Sequence, residues 1–151
     1  MAAADARPAS PPDPAAFAER LADPGLDLRA KAGVVAEIKE MIEVFVNVDY
    51  ASFINAVLPV QMDLLESTAC AFVSDAPEQR LRHGIMETIY RYPQHETVRV
   101  HAERLMQVML RAVQDDNEEN ATIAFKVIID LHRSFKSCLL YTSPSPRDGL
   151  L

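Results

Sequence analysis

Between Leu28 and Phe135, apolar side chains recur every three or four residues in one segment after another. That spacing gathers them on a single face of a helix, and a chain patterned this way buries its apolar surface by packing helix on helix. The signals at the segment ends agree. Asp13 with Pro14 at the first helical position opens a short helix whose inner face holds Phe17 and Leu21, and Pro24-Gly25 closes it. A long second helix carries Leu28, Val34, Val35, Ile38, Met41, Ile42 and Phe45. Asp49 caps a third, striped by Tyr50, Phe53, Ile54, Val57, Leu58, Met62 and Leu65, in which Pro59 removes one backbone hydrogen bond and predicts a kink.

Asp75 as N-cap with Glu78 three residues on forms a capping-box pattern for the fourth helix, which carries Leu81, Ile85 and Ile89 and ends before Pro93. The fifth runs from about Glu96 to Val113 with Val98, His101, Leu105, Val108, Met109 and Ala112 inward. The sixth opens at Asp116 and continues through Ala121, Ala124, Phe125, Ile128, Leu131 and Phe135, with Glu118 exposed in its first turn. Phe125 is expected in the core; Ala124, Ile128, Leu131 and Phe135 are candidates for a face left without a neighbour. The expected fold is all-α, about six antiparallel helices over residues 13–137. Helices two and three start near residue 27 and helices four and five near 75, a difference of 48 residues, at the edge of the ~40–47 of HEAT repeats. The stripes fit a short helical bundle as well as a HEAT-like α-solenoid.

A chain of 151 residues allows one core. Its 25% charged residues and mean hydropathy of -0.03 are those of a globular chain, and 4 glycines with no tryptophan disfavour a β-sandwich. The net charge of -7 argues against nucleic acid as the main ligand, because phosphate binding rests on an excess of Lys and Arg. No uninterrupted apolar run approaches the ~20 residues of a bilayer span, and 2 cysteines make no disulfide framework.

Motifs for chemistry fail one by one. His95-Glu96-Thr97-Val98-Arg99 begins like a zinc protease motif, but Arg99 stands where the second histidine must sit. His83, His95, His101 and His132 are scattered, and Cys70 among Ala69, Ala71 and Phe72 reads as a buried, inert thiol. Asp115-Asp116-Asn117-Glu118-Glu119 reads as carboxylates at a helix N-terminus, without EF-hand spacing. Arg80, Arg82, Arg91, Arg99, Arg104 and Arg111 form a basic ridge or a solvated face, and the Asn120-Ala121-Thr122 sequon falls inside a helix. The expectation is no catalytic, metal or cofactor site and no enzyme activity.

The ends differ from the middle. Pro8, Pro11, Pro12 and Pro14 among alanines mark residues 1–12 as a disordered tail. Cys138-Leu139-Leu140-Tyr141-Thr142-Ser143-Pro144-Ser145-Pro146-Arg147-Asp148 matches one reading frame of a transposase-type sequencing adapter, a more specific match than phosphosites at Ser143 and Ser145. Residues 138–151 are therefore expected to be a translated adapter, and the natural sequence to run on from a truncation near Ser137.

Val48-Asp49-Tyr50 through Pro59, Pro77-Glu78-Gln79-Arg80-Leu81-Arg82, Ile89-Tyr90-Arg91-Tyr92-Pro93, and above all Asp116-Asn117-Glu118-Glu119-Asn120 with Lys126-Val127-Ile128-Ile129-Asp130-Leu131-His132-Arg133-Ser134-Phe135-Lys136, resemble the N-terminal HEAT region of the transformation/transcription domain-associated protein family. These are very large pseudokinase relatives of the phosphatidylinositol 3-kinase-like kinases. The resemblance implies a nuclear, non-catalytic scaffold segment whose partners are protein subunits of SAGA-type histone acetyltransferase complexes and transcriptional activators, without direct nucleic acid, membrane or small-molecule contact. The alternative is a self-contained small helical adaptor that binds a partner helix. Gly84 departs from the pattern, standing in mid-helix at a cost of up to ~1 kcal/mol relative to Ala.

Overall fold

A computed structural model describes residues 12–136. The expected tail over 1–12 (Pro12 apart) and the adapter-like segment 138–151 lie outside the described residues. The described residues form six helical elements and no strand: α1 (Pro14–Ala22), α2 (Leu28–Ser67), α3 (Pro77–Arg91), α4 (Glu96–Arg99), α5 (Ala102–Asp115) and α6 (Glu118–Ser134).

Local chemistry sets most boundaries. The Asp13 carboxylate accepts the Ala15 N–H at 3.0 Å and Pro14 occupies the first turn of α1. Asp27 caps α2 by accepting the Ala30 N–H at 2.8 Å. The expected second and third helices are the two arms of α2, broken at Asp49, whose backbone leaves the helical region with φ -159° and ψ 80°. Asp49 caps the second arm as expected, accepting the Ser52 N–H at 3.1 Å and its hydroxyl at 2.7 Å. These two bonds hold its carboxyl below the usual carboxylate range. Phe45 and Phe53 stack at 4.4 Å between ring centroids across this break, where a straight helix would part them by ~12 Å along its axis. Pro59 sits inside the second arm, and the non-helical residue within α2 is Asp49.

Three boundaries differ from expectation. Asp75 is not the N-cap of α3: Ala76 is, without a side-chain cap, because Pro77 takes the first turn, and Asp75 instead lies 3.6 Å from Arg80. The expected fifth helix is broken into α4 and α5 at Val100-His101, where Val98 N–H donates to His95 and His101 N–H to Val98 in tight three-residue turns. The β-branched Thr97, Val98 and Val100 favour helix poorly there. Finally, α6 is capped by Asn117, which accepts the Asn120 N–H at 2.9 Å, so Asp116 ends α5 rather than opening α6.

Contacts fix the directions of the helices. Phe17 meets Phe45 and Arg20 meets Glu37, so α1 runs antiparallel to the first arm of α2. Arg82 reaches Leu65 while Tyr92 reaches Gln61, so α3 runs antiparallel to the second arm. The hairpin of α5 and α6 is the third antiparallel pair. Between pairs the order is parallel: Val35 and Lys39 face Gly84 and Glu87, Gln79 and Tyr90 face Asn120 and Lys126, and Asn55 and Asp63 face His101 and Arg104. The first arm of α2, α3 and α6 thus form one layer; the second arm and α5 lie in the other. Helical pairs stacked in parallel register are the arrangement of a helical repeat, and pairing starts one helix earlier than the 48-residue spacing implied.

Phe53 lies at the centre, stacked on Phe45 and edge-on to Tyr92 at 5.4 Å. Gly84 finds its reason here: a Cβ added to it would lie 3.3 Å from Val35 Cγ1, so the missing side chain lets α3 approach α2. Gly84→Leu is expected to lower stability by ~1–3 kcal/mol through overpacking, read as a lower denaturation midpoint. The sixth stripe is also rotated from expectation. Asn120, Ala124, Val127, Leu131 and Phe135 are buried, Ile128 only partly, and Phe125 is exposed.

Candidate functional site

The chemistry-bearing side chains converge where α3 meets the turn between α5 and α6, and they converge on one another. Arg82 Nε and Nη2 donate to Asp116 Oδ2 at 3.0 and 2.7 Å, and Nη1 donates to the carbonyls of Leu65 and Thr68 at 2.6 and 2.7 Å. Only 5% of the Arg82 side chain and none of Asp116 is exposed. One guanidinium therefore ties the end of α2, α3 and the end of α5 together, using its planar fork at three acceptors.

Amides extend the cluster. Gln79 Oε1 accepts from Asn117 Nδ2 at 2.7 Å and Asn120 Nδ2 at 2.8 Å, and Asn117 Nδ2 also donates to the Ala71 carbonyl at 2.8 Å. Asn120 Oδ1 faces His83 Nδ1 at 3.0 Å, while His83 Nε2 lies 3.4 Å from Glu87 and 3.6 Å from Glu119. Lys39 donates to Glu87 at 2.9 Å and holds its carboxyl below the usual range. The Gln79, Asn117 and Asn120 amides are all hydrogen-bonded, so the cluster fixes helix positions and offers no uncommitted amide to a substrate.

The six arginines form neither one basic ridge nor one solvated face. Arg82 is interior, Arg104 donates to Asp63 and Glu66 at 2.6 and 2.8 Å, and Arg99 pairs with Glu96 at 3.1 Å. The acidic run is likewise divided: Glu118 and Glu119 occupy the first turn of α6, whereas Asp116 is the buried partner of Arg82. Cys70 is half-buried rather than buried, in the loop after α2; desolvation pushes its thiol up against the pull of Arg82, which works against a nucleophilic thiolate. Asn120 of the sequon is buried.

The histidines are not brought together. His95 packs edge-on to Tyr50 at 5.2 Å, His101 bonds Asn55 at 2.8 Å, and His132 lies in the last turn of α6. Among the described residues no group of three or more His, Cys, Asp or Glu has the geometry to hold a metal ion. His101 has its pKa lowered, first by burial and then by Arg104. A base whose folded value is depressed contributes stability that is present above the unfolded value of 6.5 and lost as pH falls through the folded value. The melting temperature is therefore expected to decline as pH falls below 6.5, and His101→Gln to flatten that decline.

α2 contains an 18-residue window of mean hydropathy 1.4, long and apolar enough to cross a bilayer by composition. The helix breaks at Asp49, and 39% of that window is buried in the helical core.

The parallel-stacked pairs and their polar clamp define an all-α helical-repeat segment. No protein-family model matches the chain. It is 35% identical over 106 residues to probable transcription-associated protein 1 of Dictyostelium discoideum, and 31% identical over 121 residues to the transformation/transcription domain-associated protein of Homo sapiens. It is 28% identical over 124 residues to the SAGA complex/NuA4 acetyltransferase complex subunit TRA1 of Saccharomyces cerevisiae. These alignments cover 70%, 80% and 82% of this chain, and 2%, 3% and 3% of those relatives. The chain is homologous to a short stretch of the transformation/transcription domain-associated protein family.

Proposed function

We propose that residues 13–137 serve as a HEAT-like, non-catalytic scaffold segment of a nuclear transcription co-activator subunit, with protein subunits of a SAGA-type histone acetyltransferase complex and transcriptional activators as partners. The observation that carries this reading is the homology to subunits named for SAGA and NuA4 complexes, in a segment whose helical pairs stack in parallel register. Stacked pairs offer long surfaces for protein contacts. The self-contained adaptor has no such homology behind it. Arg104 is a poor probe of outer-face binding, since Arg104→Glu would set a third carboxylate beside Asp63 and Glu66 and lower stability as well; Arg91 is exposed and serves better.

The test is a chimera of the Homo sapiens relative in which the aligned 121-residue stretch is replaced by residues 12–136 of this chain. A scaffold segment keeps the chimera folded and co-purifying with acetyltransferase activity. A folded chimera that loses the complex would sink the reading. Arg91→Glu in the chimera then distinguishes contact surface from spacer by its effect on activator capture.

A further inference from the structure

Phe72 and Val73 stand outward from the loop between α2 and α3, 71% and 67% exposed, and no other Phe or Tyr among the described residues is as open to solvent as Phe72. The loop holds them there. Its Thr68 carbonyl accepts from Arg82 Nη1 at 2.7 Å, its Ala71 carbonyl from Asn117 Nδ2 at 2.8 Å, and its Val73 carbonyl from the Ala76 N–H at 3.0 Å. Neither side chain can fold inward without breaking these bonds. An apolar pair kept in water by a fixed backbone is pre-organised for a partner, because little conformational freedom is left to lose on contact.

The chemistry beside the pair selects that partner. The Asn117 bond brings the turn between α5 and α6 against the loop, and Phe72 shares a solvent-open recess with Asn117, Glu118, Glu119 and Thr122. Among the described residues that line it, two are carboxylates and none is a cation. Glu118 is exposed, and so is most of the Glu119 side chain, 3.6 Å from His83. Asp75 has Arg80 at 3.6 Å, so Glu118 and Glu119 set the sign of the recess. The net charge of -7 on the chain adds a field of the same sign.

We infer that Phe72 and Val73, with the Glu118 and Glu119 wall, form a docking surface for a basic, apolar peptide segment of another protein. A leucine- or phenylalanine-like side chain seats on Phe72 and Val73, while Lys or Arg beside it in the segment meets Glu118 and Glu119. The same wall repels an acidic segment, and a neutral apolar one desolvates two carboxylates without pairing them. A second copy of this chain, docked about a two-fold axis, sets each wall against its own kind. The place of this contact in a larger assembly rests on the scaffold reading above; its chemistry does not.

The experiment selects short random peptides, displayed on phage, on the immobilised full chain, with counter-selection on the Phe72→Ser chain. Enrichment of an apolar residue with Lys or Arg close by is expected. The synthetic form of the winning peptide should bind one-to-one, weaken as ionic strength rises, and lose ~10-fold or more in affinity with Phe72→Ser or Glu118→Lys. All three residues changed in the test are exposed, so the variants should melt like the wild type; Val100→Ser, in the joint between α4 and α5, should leave binding unchanged. No enrichment over the Phe72→Ser chain overturns the inference, as does enrichment of acidic or uncharged apolar peptides, or binding that Phe72→Ser and Glu118→Lys leave intact. Dimerisation of the chain alone that Phe72→Ser abolishes would assign the surface to a second copy and overturn it too, as would peptide binding that appears only once residues 137–151 are removed. A chimera that still assembles while peptide binding fails rejects this inference and leaves the scaffold reading standing.

Discussion

Arg82→Ala is expected to lower the stability of the chain by ~3–5 kcal/mol, a large share of the ~5–15 kcal/mol typical of a domain. The substitution leaves the Asp116 carboxylate, whose side chain is wholly buried, without its cation, and the Leu65 and Thr68 carbonyls without their donor. An uncompensated buried charge costs far more than a net-favourable pair contributes, because its desolvation is no longer offset. Replacing both partners, Arg82→Met with Asp116→Leu, should recover only the part due to the buried charge, because the Leu65 and Thr68 carbonyls stay without a donor and Asn117 N–H and Asn120 Nδ2 lose Asp116 Oδ1 as acceptor. Denaturant unfolding of the single and double variants measures the contrast. A single variant that melts like the wild type would show that water reaches Asp116 and that the clamp is ornamental.

Phe53→Ala is expected to cost a similar ~3–5 kcal/mol, whereas Phe125→Ala should cost under ~1 kcal/mol. Phe53 is fully buried, stacked on Phe45 and edge-on to Tyr92, so its removal opens a cavity at the joint of α1, both arms of α2 and α3. Neighbouring helices held by the Gln61, Thr88 and Tyr92 hydrogen bonds cannot easily collapse into that space. Phe125 is more than half exposed, and its truncation removes little contact. Equal losses for the two variants would contradict the burial of one and the exposure of the other; thermal unfolding of both settles the comparison.

Where the sequence could be read, the information was local. Asp13 and Asp49 cap helices through residues two or three positions away, and both caps are visible in the chain itself. The Asn117 cap was displaced by one residue because Asp116 is committed to Arg82, 34 positions back, and no short-range signal carries that pairing. The same long-range contact hid the interior role of Arg82, which in sequence is one arginine among several. On α6 the periodicity was present but written in mixed chemistry. Asn117, Asn120, Ala124, Val127 and Leu131 follow at three and four residues, yet a search for apolar side chains alone selects Phe125 and Ile128. Polar members of a buried stripe become legible only when their partners are known, here Gln79 and Asp116. Gly84 reads as a propensity defect until Val35 is seen across from it.

The joint at Asp49 has a mechanical consequence. Two helical pairs share α2, and no slack loop separates its arms. Tension applied along the chain straightens α2 about Asp49, and straightening must first shear Phe45 off Phe53, which lie face to face across the bend. Once that stack parts, Phe17 loses Phe45 and Tyr92 loses Phe53, so the grip of α1 and of α3 loosens together. Pulled between its ends, the segment should yield in one force peak spanning both pairs, where units joined by flexible loops would unravel in steps.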